Sequence, residues 1–352
     1  MSVNAQGKNI YVDVKRSGAA WHSLGYRNEI DQTAMETLNM FDGHDGVPIF
    51  ELWKDFAKSP DGEMHETGDF RIYRLPTKTD DKYIPIGWCT DSYHLVQAED
   101  IAKKFDEKVK KPVETMGFLN HGERMFVTWQ LKKGDVIVGK DDKVTLFGTI
   151  LGGFDGKMSI TLAISGIRTV CSNTFQMVVN QTKHKKSDGT DEGLVWNGKH
   201  NSPYILNDLG EWMSHIDQKA DRQAELISNL FNRMKSIPVD SENVLKSIVE
   251  SVYEFSEAKD APKKIIERNA EALAKKNEIA ERDRNLAYEL FNNSSRGIAI
   301  TPDMWGLWNV FTQIENHERL SKKDDTSSVF IGNRANTMKK ALNVIVNHMD
   351  GK

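Results

Sequence analysis

The sequence predicts an α+β fold: an antiparallel β-sheet with a crossing helix in the N-terminal half, followed by an α-helical C-terminal region. Three observations carry this. Strand-like segments cluster between Asp69 and Ile164, a single segment of helical spacing interrupts them, and after Asn201-Ser-Pro203 apolar residues recur in steps of three and four. Sequential strands joined by short polar links pair antiparallel, whereas a doubly wound parallel sheet needs a crossover helix between neighbours. The change in composition divides the chain into a core domain over residues 1–203 and a helical region over residues 204–352.

The first 60 or so residues read as an irregular or helical lead-in. Within it Asp31 or Thr33 can cap a short helix running to Met40, which Gly43, Gly46 and Pro48 end. Phe70 to Leu75 and Tyr83 to Trp88 predict a hairpin, with Pro85 favouring an edge or bulge position because it cannot donate to a ladder. From Ala98 to Lys110, Ile101, Ala102, Phe105 and Val109 share a helix face, so a helix returns across the sheet. Val113 to Leu119, Arg124 to Leu131, Lys143 to Leu151 and Met158 to Ile164 then predict four strands, the last pair joined by a tight turn at Asp155-Gly156.

In the helical region Leu206, Leu209, Met213, Ile216, Ala220, Ile227, Leu230 and Met234 form a heptad seam that Pro238 ends. The seam reads either as packing on another helix of the chain, with Ser241 to Glu257 the obvious partner, or as an interface between subunits. Pro262 opens a charged helix that ends near Asn292. Thr301 as cap and Pro302 in the first turn start another, and Arg334 to His348 close the chain.

With 352 residues, 39% hydrophobic and 28% charged, the chain can bury one substantial core or two modest ones. No apolar run approaches the roughly 20 residues that cross a bilayer, and the N-terminal residues lack the apolar stretch of a signal peptide. A cytoplasmic protein with no membrane partner is expected. Two cysteines, Cys89 and Cys171, suit small buried hydrophobes better than a disulfide framework or a cysteine-built zinc site. The net charge of −4 gives no global attraction to nucleic acid, so any such binding must come from a local patch.

No residue pattern dictates a reaction. The glycine cluster Gly148 to Lys157 lacks the Ser or Thr that must follow the lysine of a P-loop, since Met158 stands there. The ten histidines are scattered, and the paired carboxylates Asp80-Asp81, Asp141-Asp142 and Asp324-Asp325 sit in polar loops where they form turns. Neither a metal nor a cofactor is expected, and the chain reads as non-enzymatic.

Binding is better supported. The stretch Gly166 to Thr174 and the cluster Lys183-His-Lys-Lys186 follow an apolar strand, so Arg168, Asn173, Lys183, Lys185 and Lys186 are candidates for holding a phosphate backbone. The lysines read equally as a solvated loop. Arg71, Arg74 and Arg124 are further candidates, because they fall on or beside strands with Tyr73, Phe126 and Trp129. Those rings either stack on bases or fill the core.

Several motifs are similar to an uncharacterised family of phage- and plasmid-encoded proteins, known chiefly as a domain of unknown function. They are Trp21 to Gly25, Tyr93-His-Leu-Val-Gln97, Met116 to Arg124, Ile167 to Thr174, His200 and Trp305 to Thr312. The resemblance covers most of the chain and implies a mobile-element origin without a known activity. More loosely, the hairpin, helix and meander resemble the core of the single-strand annealing proteins that phages use in recombination.

Together these readings lead to an expected single-stranded DNA-binding protein of a phage or plasmid, a homo-oligomer that promotes annealing or recombination. The alternative is a mobile-element protein that binds and inhibits a host protein. A metal-dependent nuclease is a third reading.

Overall fold

The computed structural model of the chain describes residues 10–14, 26–28, 30–44, 46–140, 142–168, 195–256, 263–293, 300–318 and 333–351. The chain divides into two compact units, residues 1–136 with 143–225 and residues 137–142 with 226–352. The division falls inside a 32-residue helix, past the composition change at Pro203.

The first unit is the predicted α+β arrangement, carried by two sheets instead of one. Strands β1 (Ile10–Val14), β2 (Tyr26–Asn28), β6 (Thr115–Leu119), β7 (Arg124–Val138), β8 (Asp142–Gly153), β9 (Ile160–Arg168) and β10 (Val195–Gly198) form a seven-stranded sheet in the order β10-β9-β8-β7-β6-β1-β2. The meander β6 to β9 is the run of sequential strands that the sequence predicts. Strands β3 (Phe50–Lys58), β4 (Met64–Arg74) and β5 (Ile84–Cys89) form a separate antiparallel sheet. Pro85 lies on its edge strand, where the register with β4 shifts between Ile72 and Tyr73, so the missing N–H costs no ladder bond.

The lead-in is less irregular than expected. It holds β1 and β2, which pair parallel, and the nine-residue strand β3. Helix α1 (Ala34–His44) begins at Thr33, whose hydroxyl accepts the Glu36 N–H at 3.1 Å while the Glu36 carboxylate accepts the Thr33 N–H at 2.9 Å. This reciprocal cap satisfies two of the donors that every helix start leaves free. The carboxylate of Asp106 accepts two more, from Ala34 and Met35 at 2.7 and 2.9 Å, and so ties α1 to helix α2 (Ala98–Lys108).

Helix α2 is the expected crossing helix, with Ile101, Ala102 and Phe105 fully buried. Phe105 meets Trp129 of β7 edge to face at 5.1 Å. The indole fits because Gly148 on β8 has no Cβ; one added there would collide with its ring. Phe126 and Trp129 are therefore core residues, while Tyr73 is half-buried. Between the sheets of this unit Phe50 stacks on Phe154 at 4.5 Å.

Helix α3 (Ile205–Ser236) carries the heptad seam, and Leu209, Met213, Ile216, Ala220, Ile227 and Met234 are buried by the chain itself. An assembly of copies would need another surface. In the second unit, α4 (Glu242–Val252), which starts at the expected Ser241, packs on the closing helix α7 (Asn333–Met349) and buries Leu245, Ile248, Val249 and Val252. Helix α5 (Lys263–Asn292) is the charged helix. Helix α6 (Met304–Gln313) is buried at every position from Met304 to Thr312, as a helix apolar all round must be. Its cap is Asp303, not Thr301: the Asp303 carboxylate accepts the Gly306 N–H at 2.8 Å and the Lys235 ammonium at 2.9 Å. A carboxylate can take both donors, and the Thr301 hydroxyl instead donates to it.

Candidate nucleic-acid interface

Base stacking needs rings that solvent can reach, and the three-stranded sheet presents them. Directly opposed residues of antiparallel strands share a face. The register therefore sets Trp53, Arg71 and Trp88 in one row across β3, β4 and β5. Trp53 and Trp88 keep 41% and 54% of their surface exposed. The Trp53 ring also contacts Tyr73 at 4.6 Å and Tyr83 at 5.3 Å, and its indole N–H donates to Glu51 at 2.9 Å, which fixes its orientation. In the middle of the row Arg71 donates from Nε to Asp55 at 2.8 Å, an exposed pair that leaves other guanidinium donors toward solvent.

The other predicted arginines are internal. Arg74 stands one alternation out of phase with Arg71, on the face of Ile72, where it is 3% exposed and paired with Asp80. Arg124, at the start of β7, donates to Asp155 at 2.9 Å and to the Met158 sulfur at 2.8 Å, so its guanidinium holds the β8–β9 turn. Both are structural ion pairs and neither offers a guanidinium to a groove. The backbone of Arg168 ends β9 opposite Val144; its side chain, together with Asn173, Lys183, Lys185, Lys186 and Cys171, lies outside the described residues. Sequence reading missed Trp53, Tyr83 and Trp88. The signal for Trp53 was its place among the charged residues Glu51, Lys54 and Asp55, inside the segment read as a lead-in, whereas Tyr83 and Trp88 begin and end a strand of the predicted hairpin.

A cleft of about 440 Å³ opens at β5, lined among others by Trp88, Tyr93, Lys157, Met158, Lys199 and His200. Gly156 lets its left-handed turn, φ +75°, close onto β5, where a Cβ would strike the Trp88 carbonyl. Tyr93 and His200 stack nearly parallel at 4.7 Å. The His200 Nδ1 lies 3.0 Å from the His94 carbonyl, which can only accept, so Nδ1 carries the proton. Burial pushes the His200 pKa below its usual value, which keeps the ring neutral and leaves Nε2 as an acceptor. That Nε2 and the Tyr93 hydroxyl are sealed from solvent without a well-formed hydrogen bond, although the Gly153 carbonyl faces the His200 ring and the Gly156 N–H faces the Tyr93 hydroxyl. Burial likewise holds the Tyr93 phenol well above its usual pKa and pushes the Cys89 thiol up to about 11, so Cys89 is an unreactive buried hydrophobe, as expected.

Among the described residues no group of three or more His, Cys, Asp or Glu side chains converges as a metal site would require. No described helix is long and apolar enough to cross a membrane.

Residues 85–335 match the family described as a domain of unknown function, DUF932. The chain belongs to this family. The DUF932 segment contains the whole cleft and begins after β4, so Trp53, Arg71, Tyr73 and Tyr83 precede it while Trp88 falls within it. Two of the motifs behind the sequence resemblance, those of Tyr93 and His200, meet in the cleft although 107 residues separate them. Neither a curated protein nor a solved structure matches the chain.

Proposed function

We propose that this DUF932 protein binds single-stranded DNA and promotes annealing of complementary strands. The exposed row Trp53, Arg71 and Trp88, extended by Tyr73 and Tyr83, is the observation that supports the reading. Unpaired bases stack on such rings whatever their sequence, and the guanidinium between them faces the phosphate backbone. A duplex hides its base faces and gains nothing from the platform. Arg168, Asn173, Lys183, Lys185 and Lys186 remain the proposed phosphate contacts beyond it, and the mechanism asks for no cofactor because pairing supplies the driving force.

Fluorescence anisotropy of a labelled oligothymidylate and of a duplex, at low and high salt, tests the proposal. Preference for the single strand, weakened by salt and by Trp53→Ala, is expected. Equal binding of both forms, or an unchanged affinity in Trp53→Ala, overturns the role of the platform.

A second reading rests on the carboxylates of the same sheet. Glu51, Asp55 and Glu66 intersperse its aromatic and basic groups, as at a protein-binding surface rich in Trp, Tyr and Arg. A host-protein partner takes first place when no oligonucleotide binds at low salt.

A further inference from the structure

The two edges of the three-stranded sheet are finished differently. On β5, Pro85 has no N–H to offer, and the β8–β9 turn closes onto the Trp88 carbonyl. On β3 the edge begins closed and then opens. Both backbone groups of Phe50 are taken by the Gln97 side chain, which accepts the N–H at 3.1 Å and donates to the carbonyl at 2.9 Å, as a neighbouring strand would. Backbone groups along a strand alternate between its two sides. The Ile49 carbonyl accepts the Leu75 N–H, the Asp55 carbonyl accepts the Thr67 hydroxyl, and the Ser59 N–H donates to the Glu63 carbonyl. The backbone groups of odd-numbered residues therefore face β4, and those of even-numbered residues face away. This alternation runs unbroken because the irregularity between Lys54 and Phe56 places its extra residues in β4, around Gly68 at φ +82°. Leu52, Lys54, Phe56 and Lys58 thus point N–H and C=O outward, and among the described residues nothing bonds to those groups.

An open edge of this kind invites another strand unless charge or shape guards it. The guard is weak here. Lys54 stands at the middle of the open stretch, and Glu66 on β4 holds its ammonium at 2.9 Å. Phe56, on the same face as Leu52, keeps 49% of its surface exposed. The order of side chains selects the strand that fits. Two antiparallel copies related by a two-fold axis pair about a residue that meets itself, and only the even-numbered residues offer ladder bonds. With Lys54 at that centre, Leu52 of each copy lies opposite Phe56 of the other, two apolar pairs on one face, while each Lys54 keeps its own Glu66. Centring on Trp53 sets Glu51 opposite Asp55 and Leu52 opposite Lys54; centring on Asp55 sets Leu52 opposite Lys58, and centring on Phe56 sets Lys54 opposite Lys58. We infer that the β3 edge is the interface between two copies of this chain, paired antiparallel about Lys54. It is the other surface that an assembly needs once the α3 seam is buried within the chain. The pairing joins two sheets into one and sets the Trp53, Arg71 and Trp88 rows of both copies on a common face. The value of a doubled row for annealing rests on the strand-binding reading, whereas the pairing itself rests on the edge alone.

Sedimentation equilibrium of the full chain over about a hundred-fold range of concentration, with no DNA present, tests the pairing. A monomer–dimer equilibrium is expected. Lys54→Pro removes an outward N–H and no bond to β4, and Phe56→Lys sets a cation opposite Leu52 of the second copy. Each should raise the dimer dissociation constant at least about ten-fold while the unfolding midpoint stays near that of the parent. Trp88→Ala, at the far edge of the sheet, should dimerise as the parent does. Lys54→Cys supplies a readout that does not depend on weakening the fold. Directly opposed Cα atoms of a hydrogen-bonded pair stand about 5.5 Å apart, within disulfide reach, so mild oxidation should link two copies of Lys54→Cys above the parent's background and not two of Lys58→Cys. A monomer at every concentration, with no such cross-link, overturns the pairing and leaves the edge to an extended peptide of another protein. A dimer that Lys54→Pro and Phe56→Lys leave unchanged lies on another surface and overturns it as well. Because no oligonucleotide is present, failure of the anisotropy test above bears on the platform and not on this interface.

Discussion

In the seven-stranded sheet Trp129 is fully buried, whereas in the three-stranded sheet Trp53 and Trp88 keep 41% and 54% of their surface in solvent. The larger sheet accepts its indole through a glycine on the neighbouring strand and the edge of Phe105 on α2. The smaller sheet buries only one face, through Phe50, Ile72 and Ile86, and beyond Trp53 its β3–β4 hairpin exposes residues of both faces. Leaving about half an indole in water forgoes roughly 2–3 kcal/mol of burial. Trp53, Trp88 and Tyr83, each left about half exposed at one sheet with an arginine in the row, distinguish a surface built to meet a partner from one that merely closes a core. The same contrast divides the arginines. Arg74 and Arg124 hold the fold together from inside, and Arg71 faces outward.

The contrast breaks most sharply at the tryptophans. Trp129→Ala should cost about 3–5 kcal/mol in denaturant unfolding, the usual loss for a large core side chain, while Trp53→Ala should stay within about 1 kcal/mol of the parent. Equal losses at the two sites would make the platform part of the core. Next, Arg124→Met should destabilise by about 3 kcal/mol, because it strands the buried Asp155 carboxylate; the low end applies since Arg124 retains some solvent contact. Arg71→Gln should leave the unfolding midpoint in place and lower oligonucleotide affinity instead. A smaller effect separates ring from residue: Trp53→Phe should recover most of the affinity that Trp53→Ala loses, a difference of roughly 1–3 kcal/mol per stacked base. Recovery absent in Trp53→Phe would point to the indole N–H bond with Glu51.

The smallest effect is in pH. Burial depresses the His200 pKa in the folded state, opposed by the His94 and Gly153 carbonyls and the charge of Asp155, with the His94 ring acting in the same sense as burial. In the window between the folded value and the unfolded value near 6.5, the unfolded chain binds a proton that the folded chain refuses, so stability falls as the pH falls through it and is complete above it. Unfolding midpoints from pH 7.5 down to 5 should show this loss in the parent and less of it in His200→Phe. An identical profile in the variant would assign the acid sensitivity to other groups.

Much of the architecture was legible because it is written in local periodicity. Ile101, Ala102 and Phe105 announce the crossing helix, the apolar runs of β6 to β9 announce the meander, and the turn at Asp155-Gly156 announces itself. Strand β1 was not legible, since it is held by pairing with β6 and Ile10 lies opposite Phe118, more than a hundred residues away. Strand β3 escaped for a different reason. Past Trp53 it buries neither face, so its residues carry no inward and outward alternation of the kind that identifies a strand.

By itself the sequence determined the order of elements from β4 to β9, the succession of helices after Pro203, the break at Pro238, the burial of Cys89 and the family, all of which depend on neighbours along the chain or on motifs read in place. Only the tertiary structure decided which charges are spent and which surfaces remain. Arg71 and Arg74 lie three residues apart in one strand, and nothing local says that one meets solvent and the other Asp80. The cleft required Tyr93, Lys157 and His200 to arrive from three separate segments. Contacts between distant segments are selected by the packing of the whole unit, and their chemistry appears only once that packing is complete.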